Sequence, residues 1–358
     1  NYRMIAVSGN IYRLFANVLR DLVTNWCEEK RKIPDTQYGF YPGRNTLQPI
    51  FILRHLKHAA STLKPRGSPR LHAAFIDFTQ AYDTIPREKL WQHLQYVRMP
   101  SVFLSLLKNI YDNDEYILVD GDKKAQVRPT RGVKQGCPLS PLLFSLYIND
   151  IDQIAEDIEG AVAGDGDFRV SHMLYADDLC LTVNDPQQMQ KMLDRLQGYS
   201  KRKGLVVNVG KSEVVHFNSK QRCASLPVFV YDGKPLVQSD AFRYLGMVFT
   251  HNLNLEVAAE NAVKPYLAAM QRVKGFARAC RLADRPDAMI WLSKIYAVSA
   301  GMYGSQVWGT RYLRAGTEFD SRLQKQHLSF LRRVLGVKKT TSNWCVLREC
   351  GQEPLQFY

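Results

Sequence analysis

The sequence predicts an α+β fold with two or three subdomains. Strand-like apolar runs are interleaved with helical patterns over the first 255 residues, whereas helical patterns dominate from Glu256 to the end. Strands mixed with helices and followed by a helical end are typical of α+β proteins. The 358 residues contain 46% hydrophobic side chains, which is enough for a sizeable core.

Two helices are expected near the start of the chain. Residues 10–30 carry apolar side chains at helical spacing, including Ile11, Leu14 and Val18, and a second helical pattern covers residues 47–61. The segment between these helices is rich in Pro and Gly and is predicted to be a loop. The breaker cluster "KPRGSPR" at 64–70 predicts a surface loop after the second helix.

The middle of the chain predicts most of the strands. "LHAAFIDFTQAYDTI" reads as a buried strand that runs into a turn and the start of a helix, and Pro86 suits the first turn of that helix. Asp120-Gly121 indicates a hairpin within residues 115–133. A helix opened by proline is expected over residues 138–158. Strands are expected at residues 116–120, 169–176, 179–183, 214–218 and 228–232.

The charge distribution indicates a polyanionic partner. The formal net charge is +14, and the segment from Lys264 to Tyr358 holds 16 Lys and Arg against 6 Asp and Glu, so it carries ten of these fourteen charges. The seven cysteines include no C-x-x-C pair and fit reduced thiols in an intracellular protein. No apolar run reaches the roughly 18 residues of a membrane span, so no membrane contact is expected.

The stretch "HMLYADDLCLTV" at 172–183 places Asp177 and Asp178 between two apolar runs. Two unit charges ~4 Å apart repel by roughly 4 kcal/mol at an effective dielectric near 20. A divalent cation would offset both this repulsion and the cost of burial. A solvated hairpin turn is the alternative, because Asp is a favoured turn residue.

Two further stretches add candidate site residues. Asp77 ends an apolar run, where a core strand would continue with Val or Leu; it is either a metal ligand or the cap of the following helix. With Asp177 and Asp178 it would complete three carboxylates, the number that a two-cation site for displacement at phosphorus commonly uses. Gly132 and Gly136 lie in a loop before a helix, so that backbone could approach a ligand closely.

In this order the motifs resemble those of reverse transcriptases, over nearly the whole chain, and most closely those of the non-LTR (LINE-type) retrotransposon branch. "YADD" is similar to the family's Y-x-D-D signature, "AAFIDFTQAYD" to its first aspartate motif, and "QGCPLSPLLF" to its template-positioning and nucleotide-positioning motif. The matching features of the branch are "NYRMI" at 1–5, "GFYPGRNT" at 39–46, "AYD" at 81–83 and "YLG" at 244–246.

The resemblance implies a right-hand polymerase with an antiparallel palm sheet. The implied domains are N-terminally incomplete fingers at 1–72, a palm at 73–250 with a fingers insertion at about 90–130, and a basic helical thumb at 251–358. The implied activity is RNA-directed DNA synthesis by two-metal nucleotidyl transfer. The implied partners are an RNA template, a DNA primer, their hybrid duplex and dNTPs; the sequence does not identify protein partners.

The resemblance also implies roles for the carboxylates. Asp77, Asp177 and Asp178, with the backbone carbonyl of Phe78, would hold two Mg²⁺ ions, for which Mn²⁺ could substitute. Asp178 is expected to be the least directly coordinated of the three carboxylates. Lys211 matches a lysine near the leaving pyrophosphate, so it is either a general acid or an ordinary exposed lysine.

Substrate contacts follow from the same resemblance. Tyr82 matches the aromatic residue that stacks under the deoxyribose and excludes a 2′-hydroxyl; the alternative is a core aromatic side chain. Gln135 and Gly136 match residues of the nucleotide pocket. The resemblance places Arg3 and Arg44 near the triphosphate, although Arg44 could equally be a solvated or RNA-facing charge. The primer grip would comprise Tyr244, Leu245 and Gly246.

Two departures and two alternatives stay open at this stage. Met4 stands where the family usually has proline and Tyr41 where arginine is frequent, which puts template binding by the fingers in doubt. One alternative is a domesticated or fragmentary protein that binds RNA or hybrid duplex without polymerising. The other is a polymerase of the group II intron or retron type. A nuclear location is expected if the chain comes from a eukaryotic element.

Overall fold

The computed structural model describes residues 6–62, 71–120, 122–163, 168–217, 226–252, 255–282, 284–313 and 316–357. The chain divides into two compact units, Asn1–Asp240 and Ala241–Tyr358. Residues 241–250, which the sequence assigns to the palm, belong to the second of these units. The boundaries of fingers, palm and thumb stay predictions. The mixture of helices and sheets confirms the α+β class.

The first unit contains seven α-helices among its described residues. Their bounds are α1 Asn10–Glu29, α2 Leu47–Thr62, α3 Ala81–Thr84, α4 Arg87–Tyr96, α5 Ser101–Asp112, α6 Ser140–Tyr147 and α7 Pro186–Lys203. The helix expected over 138–158 ends at Tyr147 and is followed by a 3-10 turn at Ile151–Ala155. Tertiary contacts end it there, since the Lys203 ammonium donates to the Tyr147 carbonyl and pairs with Asp150 at 2.9 Å.

A five-stranded sheet forms the centre of the first unit. Its strands, in spatial order, are β11 (Val237–Gln238), β8 (Glu213–Phe217), β1 (Leu71–Ile76), β7 (Asp178–Val183) and β6 (His172–Tyr175). All neighbours pair antiparallel except β11 and β8. Separate hairpins are β2 (Tyr116–Asp120) with β3 (Lys123–Val127), β4 (Ala161–Ala163) with β5 (Phe168–Val170), and β9 (Val230–Tyr231) with β10 (Lys234–Pro235).

The single strand expected over residues 169–176 is instead two strands, β5 and β6, which separate at Ser171. Thr182 of β7 explains the break. Its N–H donates to the Ser171 carbonyl and its hydroxyl to the Val170 carbonyl, so the chain is held while it passes from one sheet to the other.

Both faces of the central sheet are covered. All six residues of β1 are buried. Ala74 and Ile76 join a core that includes residues of α1, α4, α5, α6 and α7, while α2 packs on β1 and β6. With both faces covered, polar residues that need solvent or ligands must lie at the ends of the strands.

The second unit is mainly helical, as the pattern from Glu256 predicts. It begins with the hairpin β12 (Ala241–Tyr244) and β13 (Met247–Thr250). Its helices are α8 Leu255–Ala279, α9 Pro286–Leu292, α10 Ser299–Gly301, α11 Ser305–Trp308, α12 Arg322–Leu335 and α13 Asn343–Glu349. A π-helical segment at Ser293–Val298 joins α9 to α10, and β13 packs against α8.

The six cysteines of the described residues are free thiols, of which Cys27, Cys137 and Cys180 are buried. No helix in the described part of the chain has the length and apolar character needed to cross a membrane.

Candidate active site

The paired aspartates lie at the tip of the β6–β7 hairpin. Tyr175 pairs with Asp178, so Ala176 and Asp177 form a two-residue turn. Ala176 has a positive φ of 57°, a conformation that costs a residue other than glycine about 1–2 kcal/mol. Asp177 is half-buried and Asp178 is exposed, so both carboxylates are accessible at one end of the sheet.

Asp77 joins them because β1 pairs with β7. Ile76 lies opposite Leu179, and the same register continued by one residue brings Asp77 opposite Asp178. The Asp77 N–H donates to Ser212 Oγ at 3.1 Å, and its carbonyl accepts from the Asn208 N–H at 2.8 Å. The alternative of Asp77 as a helix cap is wrong, since the N-cap position of α3 is Gln80.

The Phe78 carbonyl is directed toward the same end of β7. Phe78 bridges Val207, and the bonds on either side run from Thr79 N–H to the Val206 carbonyl and from Asn208 N–H to the Asp77 carbonyl. Phe78 and Val207 are therefore a non-hydrogen-bonded pair, whose own backbone groups point away from each other. The Phe78 carbonyl thus faces the side of the strand on which β7 lies.

The oxygen atoms at this end of the sheet suit a divalent cation by type. Carboxylate and carbonyl oxygens are the ligands that Mg²⁺ prefers, so the donor types fit. Across the described ranges, no three His, Cys, Asp or Glu side chains are grouped so that they could hold one metal ion. The fold brings the strand ends that carry Asp77, Asp177 and Asp178 together without gathering the three side chains into a ligand set.

Tyr82 lies beside the aspartates on α3. Its ring stacks on Phe144, with centroids 4.9 Å apart, and it remains partly exposed. Burial raises the pKa of the Tyr82 hydroxyl, and the negative charges of Asp177 and Asp178 raise it further. The ring is thus packed against the core on one side and close to both carboxylates on the other.

A loop before α6 lies against α3. The Val133 N–H donates to the Tyr82 carbonyl at 2.8 Å, and Gln135 Nε2 donates to Asp83 Oδ2 at 2.7 Å. A Cβ on Gly132 would lie 2.7 Å from the Asp83 carbonyl oxygen, so only glycine allows this approach. Gly136 adopts φ of 101° and is exposed. The structure therefore brings Gln135 and Gly136 to the same region as Tyr82.

A buried ion-pair cluster supports this loop, and no local pattern in the sequence marks it. Lys134 Nζ lies 2.7 Å from Asp114 Oδ1, and Arg87 Nη2 lies 3.7 Å from Asp114 Oδ2. Arg87 also donates to the carbonyls of Gly132 and Tyr111. The carboxylate of Asp114 is 5% exposed, so it compensates two cations that are largely removed from water. Lys134 thus anchors the loop to Asp114.

Replacing Asp114 with Asn should destabilise the first unit. Two buried cations would lose their counter-charge, a change that costs about 3–5 kcal/mol. We expect the urea midpoint of unfolding to fall with an unchanged m-value. Glu115→Gln is the matched control, because Glu115 pairs with the well-exposed Arg128 and its loss should leave the midpoint unchanged. Equal midpoints for both variants would contradict a supporting role for the cluster.

Three basic residues predicted at the site differ in placement. Arg3 lies outside the described residues. Arg44 donates to the Pro34 carbonyl at 2.6 Å, to the Gln37 carbonyl and to Asp35, so its guanidinium binds its own loop. Lys211 is exposed in the turn between Asn208 and Ser212, the two residues that anchor the backbone of Asp77.

The predicted primer grip belongs to the second unit. Tyr244 pairs with Met247, and Leu245 and Gly246 both have positive φ, the pattern of a type I′ turn. The Tyr303 hydroxyl donates to the Leu245 carbonyl at 2.7 Å, and a Cβ on Gly246 would lie 3.1 Å from the Tyr303 ring. The Tyr244 side chain is buried, so the turn presents backbone rather than the tyrosine ring.

The chain is similar in sequence to polymerases of retrotransposons. The chain is 25% identical over 330 residues to a probable RNA-directed DNA polymerase from transposon BS of Drosophila melanogaster, covering 86% of this chain and 34% of that protein. It is 29% identical over 266 residues to the Pol polyprotein of the retrotransposable element R2DM of the same species, covering 70% and 24%. The chain spans about a quarter to a third of the length of these relatives.

The fold of this chain resembles that of a solved structure. A telomerase from Candida albicans, in complex with a fragment of telomeric RNA, superposes with a TM-score of 0.50 at 12% identity, covering 95% of this chain and 58% of that one. The family model for reverse transcriptase (RNA-dependent DNA polymerase) matches residues 1–249. With the aspartates at one end of a mainly antiparallel sheet and retrotransposon polymerases as relatives, the chain belongs to the reverse transcriptase family, in its non-LTR retrotransposon branch.

Proposed function

We propose that this chain is the polymerase core of a non-LTR retroelement, which extends a DNA primer on an RNA template with dNTPs. The observation that carries the proposal is the register that pairs Ile76 with Leu179, since it brings the strand ends followed by Asp77 and preceded by Asp178 together, next to the turn that holds Asp177. A protein that only binds polyanions gains nothing from three acidic residues at neighbouring strand ends. Neither the fold nor the relatives favour the non-polymerising or intron-type alternatives.

The family depends on divalent metal ions, and we propose Asp77, Asp177, Asp178 and the Phe78 carbonyl as the groups that hold two Mg²⁺ or Mn²⁺ ions. Bound there, the ions would activate the primer 3′-hydroxyl and stabilise the charge on the triphosphate. The 3′-hydroxyl gives its proton to water, and its oxygen bonds to the α-phosphorus while the bond between the α-phosphorus and the oxygen that bridges it to the β-phosphorus breaks, so that pyrophosphate leaves. Lys211, close to the anchored backbone of Asp77, would give its proton to the pyrophosphate.

Side chains around the aspartates would position the nucleotide. The Tyr82 ring, backed by Phe144, would lie under the sugar, while Gln135 and Gly136 would border the base and its template partner. The triphosphate role proposed for Arg44 requires it to release its bonds to the Pro34 and Gln37 carbonyls. Arg3 is proposed for the same role from its sequence motif alone.

The partners we propose are an RNA template, a DNA primer and the hybrid duplex. Ten of the fourteen net positive charges lie in residues 264–358, where they would neutralise phosphates without regard to sequence. The turn of Leu245 and Gly246 would hold the primer end. We propose an intracellular location, which is nuclear if the host is eukaryotic.

A primer-extension assay tests the proposal. The purified chain with Mg²⁺ should add dNTPs to a DNA primer on an RNA template, and a chelator should stop the reaction. Binding to the hybrid should weaken steeply with salt, by about 10³-fold between 50 and 200 mM if six phosphates are contacted. Salt-dependent binding without extension would favour the non-polymerising alternative. Absence of both would refute the proposed partners.

A further inference from the structure

The catalytic hairpin has a neighbour on its outer edge. The segment Thr36–Gly39 runs beside β6, the edge strand of the central sheet. Gln37 forms a parallel bridge with Leu174, the Leu174 N–H donates to the Thr36 carbonyl at 2.8 Å, and the Tyr38 N–H donates to the Leu174 carbonyl at 2.7 Å. This segment therefore extends the sheet directly beside the turn that carries Asp177.

Gln37 binds both backbone groups of Ala176. Its Oε1 accepts from the Ala176 N–H at 2.9 Å and from the Gly39 N–H at 2.8 Å, and its Nε2 donates to the Ala176 carbonyl at 3.4 Å. The two N–H partners establish which end of the amide is oxygen. Gln37 as a whole is 1% exposed, so water cannot replace these bonds.

This contact acts on the strained residue of the turn. Ala176 has φ of 57°, which an alanine seldom adopts without outside support. Fixing its N–H and its carbonyl together restrains both backbone angles, and therefore the direction in which the next residue, Asp177, leaves the turn. A neutral amide does so without adding another negative charge beside the carboxylates.

Two further residues hold the amide in place. A Cβ on Gly39 would lie 2.2 Å from the Ala176 nitrogen, so only glycine permits the segment to lie this close. Arg44 donates to the backbone carbonyls of Gln37 and Pro34 and fixes the other side of the segment. The resemblance to "GF-x-x-GR" covers Gly39 and Arg44, but Gln37 was not singled out from the sequence.

We propose that Gln37 is a positioning residue for the catalytic aspartate: its side-chain amide holds the Ala176–Asp177 turn in the conformation that nucleotidyl transfer requires. The kinetic part of this inference rests on the proposed polymerase function. The amide acts through the backbone and not through the substrate, so its loss should lower kcat while primer-template affinity and the KM for dNTP stay nearly constant.

The chain offers a matched control for the test. Gln190 of α7 makes the same pair of bonds to Val230, accepting from its N–H at 2.9 Å and donating to its carbonyl at 2.8 Å. Gln37→Met and Gln190→Met thus remove the same pair of bonds to one residue's backbone N–H and carbonyl, one beside the catalytic turn and one on β9. Gln37→Glu keeps the acceptor and loses the donor, which provides a second variant of nearly unchanged size.

Two measurements decide the outcome. In single-nucleotide extension, Gln37→Met should lower kcat by about tenfold or more, with KM and primer-template Kd within about threefold. Hydrogen exchange followed by mass spectrometry should show faster exchange in the peptide containing Ala176. Gln190→Met should accelerate exchange around Val230 only and keep kcat. Gln37→Glu should also lower kcat and accelerate exchange at Ala176, because it loses the donor and adds a negative charge beside the carboxylates.

Contrary results are equally defined. Faster exchange at Ala176 with unchanged kcat would overturn the positioning role, and so would equal kcat losses in Gln37→Met and Gln190→Met. Unchanged exchange at Ala176 in both Gln37 variants would overturn the contact itself. If the wild-type chain does not extend primers, the polymerase proposal fails, and the exchange experiment still decides whether Gln37 restrains the turn.

Discussion

Asp177→Asn should abolish primer extension, with the rate falling by roughly 10²-fold or more, as for other losses of one transition-state stabiliser. Asn has the size of Asp and keeps one oxygen, so the two-residue turn can persist. The Asn side chain lacks the negative charge with which Asp177 would bind a divalent cation. Affinity for primer-template should stay within a few-fold, because the carboxylate serves the chemical step and not the grip on phosphates. Rates from single-turnover extension and affinities from equilibrium titration separate the two effects.

Asp194→Asn is the control for this substitution. Asp194 is exposed on α7 and accepts a bond from Gln190, so its loss changes the net charge by the same amount without altering the hairpin tip. Its extension rate should match wild type. A residual rate above about a tenth of wild type in Asp177→Asn would argue against Asp177 as a metal ligand.

Tyr82→Val should relax the choice of sugar. If the ring lies beneath the incoming nucleotide, it leaves no room for a 2′-hydroxyl, and the wrong substrate meets a clash or a buried, unpaired hydroxyl. Shortening the side chain should raise ribonucleotide use relative to deoxyribonucleotide use by at least about tenfold, or ~1.4 kcal/mol of lost discrimination. Deoxyribonucleotide incorporation should suffer less. Single-nucleotide extension with each substrate gives the ratio directly.

The stacking of Tyr82 on Phe144 supplies the competing explanation, in which the ring only fills the core. Tyr82→Phe keeps the ring and should keep the wild-type ratio. A Tyr82→Val enzyme that stays active with an unchanged ratio would identify Tyr82 as a core aromatic residue. A fall in the urea midpoint of that variant would report the lost packing and would not by itself change the ratio.

Local signals in the sequence predicted the elements on which the site is built. The apolar run before Asp77 predicts β1, and the apolar runs on either side of Asp177 and Asp178 predict the β6–β7 hairpin. Residues typical of helix ends also flank α7. Asp185, Pro186 and Gly204 mark the start and end of α7, with Asp185 capping the Gln187 N–H and Gly204 in the left-handed conformation, yet this helix was not predicted.

The sequence by itself determined the family, the α+β class and the identity of the candidate residues, because motif order, spacing and periodicity are properties of the chain. Only the tertiary structure decided which of these residues lie close together. The register of β1 on β7, continued by one residue, brings Asp77 opposite Asp178. Gln37, 139 positions before Ala176, hydrogen-bonds to the backbone of the turn. The tertiary structure also directs the Arg44 guanidinium toward carbonyls of its own loop and places Lys134 in a buried ion pair with Asp114. Such pairings join residues far apart in sequence, and no local pattern records them.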